Sequence, residues 1–365
     1  MKRDFSNVKR VVVKLGTNIL THNNAIDFDL IERLAGQISS LHHAGKKVLL
    51  VSSGAIGIGA QQLKINRKIT KTSLRQACAA IGQPMLMHRY RLAFQQYDIQ
   101  IAQVLITKEI MDQRMTYNNL STAVDTLLNL GVIPIFNEND CVSTAEIGPV
   151  FGDNDQLSAM IASKLEAELL VLLSDIDAFY DANPKENIGA KPLSVISEIT
   201  PEIINCAGGA GSSYSTGGMK SKIKAVEIAQ KAGCETIITH GRIERVLPRI
   251  MDGEPLGTLF LSKGKLKSRS RWILYATVKG RITVDEGAHK ALLNRKSLLP
   301  SGIVTIDGNF SKGDVVLIND QFKAIAGSSS IEMQKMMGVH SKECKNISRG
   351  VKRDSIARSA DIVKL

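Results

Sequence analysis

Apolar residues follow two alternating patterns along the first two thirds of the chain. Short runs of consecutive apolar residues, typical of buried strands, alternate with longer stretches in which apolar residues recur every three or four positions, as in amphipathic helices. This alternation predicts an α/β fold with a mostly parallel sheet covered by helices on both faces, a three-layer sandwich. The predicted strands are 8–15, 46–51, 99–107, 132–136, 169–173 and 236–239, and the predicted helices are 30–45, 72–97, 116–130, 157–165 and 217–232.

The pattern changes after Gly257. Short strand-like runs at 281–284, 302–306 and 314–318 are separated by Gly and Pro, which is typical of a small, mainly β domain. The sequence therefore predicts an α/β domain at residues 1–262, a basic linker at 263–278 and a mainly β domain at 279–365.

The positive charge is concentrated near the C-terminus. The net charge is +12, and residues 265–365 carry 19 Lys and Arg against 9 Asp and Glu, whereas residues 1–264 carry 28 against 26. A basic domain of this kind attracts nucleic acid or another polyanion. Aromatic residues make up only 4% of the chain, which argues against a base-stacking surface.

Composition also bears on the cellular compartment. Lys14 interrupts the first apolar run, so we expect no secretory signal, and no apolar stretch has the length of a membrane span. The five cysteines form no close pairs, and the seven histidines show no zinc-ligand spacing. We therefore expect reduced, cytoplasmic thiols without structural zinc.

Two polar clusters lie between a predicted strand and a predicted helix. Asn137-Glu138-Asn139-Asp140 follows the strand 132–136, and Gly152-Asp153-Asn154-Asp155 precedes the helix 157–165. Asp153 or Asn154 is expected to cap that helix. Capping needs only one such residue, however, and ligands of open α/β sheets bind at the carboxyl ends of the strands. We therefore expect a ligand site here.

Three glycine-bearing segments are expected at the same edge of the sheet. They are Lys14-Leu15-Gly16-Thr17, Ser52-Ser53-Gly54 and the helix start 216–222, which reads Thr-Gly-Gly-Met-Lys-Ser-Lys. Glycines let backbone N–H groups approach an anion, and a helix N-terminus favours phosphate. Lys14 lies in an otherwise apolar strand, where an unpaired charge would be costly. The chain contains no Walker-type loop and no His-Arg-Asp kinase signature.

In their order and spacing, these motifs resemble the amino-acid kinase superfamily, and within it the glutamate 5-kinase family, over essentially the whole chain. The C-terminal part resembles the PUA domain that many bacterial members carry. This likeness is carried by Trp272, Gly280 and the segments 283–288 and 298–302, and it becomes weaker after Ala324.

The resemblance implies transfer of the γ-phosphoryl group of ATP to the side-chain carboxylate of L-glutamate, the first step of proline biosynthesis. A glutamate side chain, with a pKa of about 4.3, is already ionised and needs no general base. Catalysis would then depend mainly on positioning and electrostatics. The resemblance also implies Mg²⁺ bridging the nucleotide phosphates, proline as a feedback inhibitor, and a homo-oligomer.

The resemblance further implies roles for individual residues. Lys14 and Lys222 would relieve the repulsion between the two anions from opposite sides, and Asp155 would hold both lysines. Ser53, Asp140 and Asn154 would bind glutamate, with Asp140 facing its α-ammonium group. The nucleotide side would be formed by Lys14, Ser174, Asp175, Thr216, Gly217, Gly218, Met219, Lys220, Ser221 and Lys222, and no residue is assigned as a metal ligand.

Two alternatives remain open at this point. Another kinase of the same superfamily, such as one acting on aspartate, would share the phosphate machinery. An RNA-binding protein with an α/β scaffold is favoured by the basic C-terminal part, and RNA contact through that part is expected in either case. The low aromatic content and the complete set of kinase motifs argue against the RNA-binding alternative as the main function.

Overall fold

The computed structural model describes residues 3–22, 25–67, 69–107, 114–142, 154–184, 186–207, 218–262, 264, 268–339 and 356–365. The chain forms two compact units. The first reaches Lys265, apart from the short segment 112–114, and the second begins at Leu266. None of the described helices combines the length and apolar character that a bilayer crossing requires.

The first unit follows the predicted alternation of strands and helices. Its elements are β1 (Arg10–Leu15), α1 (Thr17–Leu20), β2 (Thr21–His22), β3 (Ala25–Ile26), α2 (Phe28–His43), β4 (Lys47–Val51), α3 (Ala55–Gln62), α4 (Thr72–Gln95), β5 (Ile101–Ile106), α5 (Arg114–Asn129), β6 (Ile133–Glu138), α6 (Asn154–Lys164), β7 (Leu169–Ser174), β8 (Phe179–Tyr180), β9 (Pro192–Leu193), β10 (Val195–Ile196), α7 (Pro201–Cys206), α8 (Met219–Ala232), β11 (Glu235–His240), α9 (Val246–Met251) and β12 (Thr258–Phe260).

Eight of these strands form one sheet in the order β10-β12-β11-β7-β1-β4-β6-β5. All neighbours are parallel except β11 and β12. The mostly parallel sheet is therefore confirmed. The strand order reverses at β1, which has β4 on one side and β7 on the other. In open α/β sheets, such a reversal marks the crevice where ligands bind, at the carboxyl ends of the strands.

Helices cover both faces of this sheet. Val11 and Val13 of β1 belong to a core cluster with Leu30 and Leu34 of α2 and with Leu86 of α4. On the opposite face, α6 contacts β1 and β7, while α8 contacts α6 and β11. Because both faces are covered, β6 and β7 are buried along their whole length, which is why these strands read as continuous apolar runs.

A helix that the apolar pattern did not predict, α3, crosses α4 very closely. An added Cβ on Gly59 would lie 1.8 Å from the carbonyl oxygen of Cys78, and one on Gly82 would lie 1.9 Å from that of Ala55. Gly57 and Gly59 lower the helix propensity of α3, which explains why it lacks a helical signal. Because the crossing holds α4 against α3, it also sets how close α4 lies to the carboxyl edge of the sheet.

The second unit is mainly β, as predicted. Its elements are α10 (Ser268–Tyr275), β13 (Val278–Val284), α11 (Glu286–Leu293), a 3₁₀ turn (Pro300–Gly302), β14 (Ile303–Asp307), β15 (Val315–Ile318), β16 (Phe322–Ile325), α12 (Ser330–Met336), a second 3₁₀ turn (Ser359–Asp361) and β17 (Ile362–Lys364). The strands form one sheet in the order β14-β13-β15-β16-β17. Ser329, in the segment where the PUA likeness thins, begins α12 with a capping box to Glu332.

The predicted linker 263–278 contains a helix, α10. Within the second unit, α10 contacts β16 and β17, and Trp272 and Ile273 are buried. Lys323 of β16 donates hydrogen bonds to the carbonyl oxygens of Leu274 (2.7 Å) and Ala276 (2.9 Å). The many basic residues in 263–271 hid this short apolar segment in the sequence. This part of the predicted linker therefore belongs to the second unit.

The close crossing of α3 and α4 makes a testable prediction. Gly82→Ala should lower the free energy of unfolding by about 1–3 kcal/mol, because the new methyl group meets backbone atoms that cannot move aside easily. Gly57→Ala is the matched control, since nothing lies within 4 Å of its added Cβ. That variant should gain about 0.5–1 kcal/mol from helix propensity. Urea unfolding followed by circular dichroism measures both, and equal stabilities would show that the helices do not cross this closely.

Candidate active site

Two lysines share one carboxylate at the carboxyl edge of the sheet. Nζ of Lys14 lies 2.5 Å from Oδ1 of Asp155, and Nζ of Lys222 lies 2.9 Å from Oδ2. All three residues are buried: Lys14 is 3% exposed, Lys222 is 6% exposed and Asp155 is 1% exposed. They come from β1, α8 and α6, so the ion cluster joins a strand to two helices. The structure thus brings together the three residues to which we assigned catalytic roles.

The charge balance of this cluster favours an anionic ligand. Buried charges are costly unless they are paired, and here two ammonium groups share one carboxylate. Asp155 lies in the first turn of α6, where the helix dipole favours its negative charge. Among the described ion pairs, the cluster itself therefore contains two positive charges and one negative charge, which suits an anionic ligand such as a phosphate chain.

A hydrogen-bonded amide network forms the neighbouring wall. Nδ2 of Asn154 lies 2.7 Å from the carbonyl oxygen of Ser52, 2.9 Å from Oγ of Ser53 and 2.9 Å from Oδ1 of Asn137. Asn137 in turn donates to Oε1 of Gln83 at 2.8 Å, and Oγ of Ser52 lies 2.7 Å from the hydroxyl of Tyr90. Ser53 and Asn154, both predicted to bind substrate, are therefore joined in one hydrogen-bonded wall.

Asp140 lies just beyond the end of β6. Burial raises the pKa of its carboxyl group, and the positive charge of Arg75 on α4 offsets part of that rise. A partly buried carboxylate whose charged form is disfavoured gains from a cationic ligand. This is the behaviour expected of a group that receives an ammonium ion.

Ser174 and Asp175 lie at the end of β7, beside β1. Asp175 accepts hydrogen bonds from Nδ2 of Asn18 (2.8 Å) and from Oγ of Ser174 (2.9 Å). Burial alone would raise the pKa of Asp175, but these hydrogen bonds and the positive charge of Lys222 hold that pKa below its ordinary value. Asp175 is therefore ionised at neutral pH and interacts electrostatically with Lys222.

Backbone groups complete the phosphate-facing side. A Cβ on Gly16 would lie 3.3 Å from the carbonyl oxygen of Leu173 and 3.5 Å from Nζ of Lys14, so glycine keeps the turn after β1 compact. Helix α8 begins after Gly218, which provides no side-chain cap, and the N–H of Ser221 donates to the carbonyl oxygen of Gly218 at 3.0 Å, so only the N–H groups of Met219 and Lys220 are without a partner among the described residues. Oγ of Ser221, in the first turn, is buried and has no hydrogen-bond partner among the described residues.

The remaining predicted positions differ in whether the structure describes them and in how exposed they are. Thr216 and Gly217 lie outside the described residues, as do Gly152 and Asp153. Lys220 is exposed on the first turn of α8, and Met219 is half-buried. Asn154 is the first residue of α6, and its side chain contacts the Ser52–Ser53 segment.

Four residues near the site were missed by the sequence analysis: Asn18, Arg75, Gln83 and Tyr90. Asn18 stands in the turn after a predicted strand, a position where polar residues are usual. The other three lie on the long helix α4, where they read as ordinary members of a helical pattern. Gln83 and Tyr90 are both buried on one face of that helix, seven residues apart, but their burial is not visible in the sequence, so no local signal marked them.

Comparisons with known proteins match both parts of the chain to known families. Residues 9–240 match the amino acid kinase family, and residues 280–348 match the PUA domain. A glutamate 5-kinase of Methanosarcina mazei is 44% identical over 356 residues, which are 94% of this chain and 92% of that protein. A glutamate 5-kinase of Caldanaerobacter subterraneus subsp. tengcongensis is 42% identical over 347 residues, which are 93% of each chain.

Solved structures share the fold at low sequence identity. The carbamate kinase of Giardia lamblia bound to AMP-PNP matches 71% of this chain and 100% of its own, with a TM-score of 0.50 and 18% identity. The T. acidophilum isopentenyl phosphate kinase matches 69% of this chain and 99% of its own, with a TM-score of 0.50 and 18% identity. These matches support the architecture of the first unit.

The ion cluster predicts the cost of removing its anion. Asp155→Asn should lower the free energy of unfolding by about 3–5 kcal/mol, because two buried ammonium groups then lose their shared partner. Glu254→Gln is the matched control: Arg249 and Glu254 form a 2.7 Å ion pair that is partly exposed, and such pairs contribute about 1 kcal/mol or less. Chemical denaturation without nucleotide compares the two. Similar losses in both variants would contradict a buried ion cluster.

Proposed function

Because this chain belongs to the amino acid kinase family, and within it to the glutamate 5-kinases, we propose that it transfers the γ-phosphoryl group of ATP to the side-chain carboxylate of L-glutamate. The product is L-glutamyl 5-phosphate, and the reaction is the first step of proline biosynthesis. The observation that carries this proposal is the Lys14–Asp155–Lys222 cluster, two buried cations on one carboxylate at the mouth of the sheet.

The chemistry needs charge neutralisation more than proton transfer. The attacking carboxylate of glutamate is ionised at neutral pH, with a pKa of about 4.3, so it is nucleophilic without a base. Its approach to a triphosphate is opposed by like charge. Lys14 and Lys222 reduce that repulsion and stabilise the charge spread over the transferring group. Asp155 holds both ammonium groups in place before the substrates bind, so little reorganisation is needed during the reaction.

The glutamate pocket lies on the β4–β6 side of β1. Ser53 and Asn154 form its hydrogen-bonded wall, and the Asp140 carboxylate accepts the α-ammonium group. Burial raises the pKa of Asp140, and a bound ammonium ion would favour its charged form. Selection of an amino acid with a side-chain carboxylate therefore depends on the distance from Asp140 to the lysine cluster.

The nucleotide is proposed to lie on the β7 side, along Ser174, Asp175 and the start of α8 from Gly218 to Lys222, with Thr216 and Gly217 preceding that start in the sequence. Magnesium usually keeps several waters and binds nucleotide phosphates together with one or two carboxylates. The donor set fits an ion of this kind, because Asp155 is occupied by two lysines while the ionised Asp175 offers oxygen to the same mouth. When bound, the ion would neutralise part of the phosphate charge.

Proline, the pathway end product, is proposed to inhibit at the glutamate pocket, because Asp140 can accept the ammonium group of either ligand.

A homo-oligomer is proposed because α4 exposes the apolar side chains of Ile81, Met85 and Leu92 along one face. The unpaired thiols of Cys78 and Cys141 suit a cytoplasmic location. The basic second unit is proposed as a contact for RNA.

We assign the kinase chemistry to the domain of residues 1–262 and the PUA-like domain to residues 279–365, extended at its start by α10. One assay tests the proposed activity. ADP release is measured with L-glutamate or L-aspartate, and hydroxylamine traps the acyl phosphate as a hydroxamate. Turnover is expected to be far higher with glutamate than with aspartate. The same preference is expected for a chain that ends at Lys265. Preference for aspartate would indicate a different kinase, and RNA retention without ADP release would indicate a binding protein.

Lys222 should act mainly in the transition state. Lys222→Ala is expected to lower kcat by roughly 10²–10³-fold, the cost of removing one charge-stabilising donor, with a much smaller change in the KM for glutamate. Lys224→Ala is the matched control, because Lys224 is exposed on the same helix and should retain full activity. Steady-state kinetics test this role. A normal kcat with only a raised KM would show that Lys222 does not act in the transition state.

Asp140 should determine the affinity for both amino acids. Asp140→Asn is expected to weaken glutamate and proline together, each by roughly tenfold or more, because hydrogen bonds to charged groups contribute about 1.5–3 kcal/mol. The KM for ATP should stay unchanged. Asp252→Asn, an exposed aspartate away from the mouth, serves as the control. Unchanged proline inhibition in a variant that has lost glutamate affinity would exclude a shared pocket.

A further inference from the structure

His240 is the last residue of β11 and lies at the same edge of the sheet as the site. In the sheet register it stands directly opposite Ser174 of the parallel strand β7. Leu172, two residues earlier, is paired with both Lys14 and Ile238. Side chains two residues apart on a strand share a face. His240 therefore projects from the same face of the sheet as Ser174 and Lys14, which is the face that carries α6 and α8.

The orientation of the imidazole is determined by the turn that follows. The backbone N–H of Arg242 donates to Nδ1 of His240 at 3.1 Å. In the neutral ring, Nδ1 is then the acceptor, so the proton is on Nε2. No described residue accepts a hydrogen bond from Nε2, and the side chain is half-buried. A positioned donor therefore faces the crevice without a partner from the described protein.

This turn is rigidly held. Arg242 donates to Oδ2 of Asp27 at 2.6 Å and to the carbonyl oxygen of Ile19 at 3.0 Å. The N–H of Gly241 donates to the carbonyl oxygen of Ser174 at 3.0 Å, and an added Cβ on Gly241 would lie 2.5 Å from Cδ1 of Ile19. The turn is thus fixed to α1 and to the end of β7, so the imidazole is positioned before any ligand binds.

The distance from the lysine cluster indicates which part of a nucleotide His240 can reach. Neighbouring strands lie about 4.8 Å apart, and β11 is separated from β1 by β7 alone. His240 is therefore displaced by roughly 10 Å across the sheet from the row of Lys14. If the transferring phosphoryl group lies at Lys14 and Lys222, a triphosphate that runs past Ser174 and Asp175 brings its α-phosphate and ribose to β11.

We propose that His240 is a nucleotide-binding residue whose Nε2–H donates to an oxygen of the ribose–α-phosphate portion of ATP. This proposal rests on the function proposed above, since it takes the γ-phosphoryl position from the lysine cluster. The contact is distant from the transferring group, so it is made equally in the ground state and in the transition state. It should contribute to nucleotide affinity and leave kcat unaffected.

Two substitutions separate the nitrogens of the ring. His240→Asn keeps an acceptor near the Nδ1 position, for the N–H of Arg242, but lacks the Nε2 donor. His240→Gln places an amide N–H near the Nε2 position. His43→Asn is the matched control, because His43 is an exposed histidine at the end of α2.

Calorimetric titration of the full-length protein with ATP and with ADP provides the measurement. In His240→Asn both dissociation constants should rise by the same factor, about ten- to one-hundredfold if the lost donor bonds to a charged α-phosphate oxygen and about threefold to tenfold if it bonds to a ribose hydroxyl. The glutamate KM and kcat should not change. His240→Gln should recover most of the affinity, and His43→Asn should bind as the unmodified protein does.

Three results would overturn the proposal. They are an unchanged affinity in His240→Asn, a loss confined to ATP, and an equal loss in the Asn and Gln variants together with a lower Tm, which would mean a structural role. The titration requires no acceptor substrate, so it remains informative if glutamate proves not to be the acceptor. Conversely, normal glutamate turnover with unchanged nucleotide affinity in His240→Asn would refute only the role of His240.

Discussion

The sharing of the Asp155 carboxylate by two buried lysines ties three elements of the first unit together at one point. Lys14 and Lys222 come from β1 and α8, and Asp155 from α6. A buried ammonium group without a partner would be costly, so the fold is stable only if these elements meet at one point. The same cluster places two ammonium groups and one carboxylate at the mouth of the sheet. The interaction that organises the fold is thus the one that prepares the site for an anion.

The wall beside this cluster has no net charge of its own and depends on hydrogen bonds. Asn154 and Asn137 join the ends of β4 and β6 to the start of α6, and Gln83 and Tyr90 support them from α4. The close crossing of α3 and α4 holds that helix in place. A wall of satisfied amides moves little when a substrate binds, which suits a reaction that depends on alignment and fixed electrostatics.

Asp175 and His240 extend the same principle to the nucleotide side. Each is held from behind by a neighbouring group: Asn18 donates to Asp175, and the N–H of Arg242 donates to His240. Asn18 lies in α1 and Arg242 in the turn after β11, and Arg242 also ties its turn to α1 through Ile19. Without a ligand, both side chains are thus already held by hydrogen bonds within the protein.

The sequence by itself determined the parts of this protein that local patterns encode. Consecutive apolar residues identified strands such as β6 and β7, because a strand covered on both faces has no polar side. Lys14 was recognisable as unusual, since an ammonium group in an apolar strand needs a partner. The glycine-rich strand ends and the two polar clusters indicated the mouth of the sheet. The family resemblance then implied the residue roles, of which the structure brings Lys14, Asp155 and Lys222 together.

Only the tertiary structure decided which distant residues meet. Gln83 and Asn137 are 54 positions apart, and nothing in a helical pattern distinguishes a buried Gln that supports a site from one at a helix surface. Helix α3 was hidden by its glycines, and α10 by the basic residues around a short apolar segment. The predicted strand 236–239 stopped one residue before His240. A local sequence pattern shows whether a segment has the periodicity of a strand or of a helix. Which residues surround a side chain depends instead on the strand order and on how closely the helices approach one another.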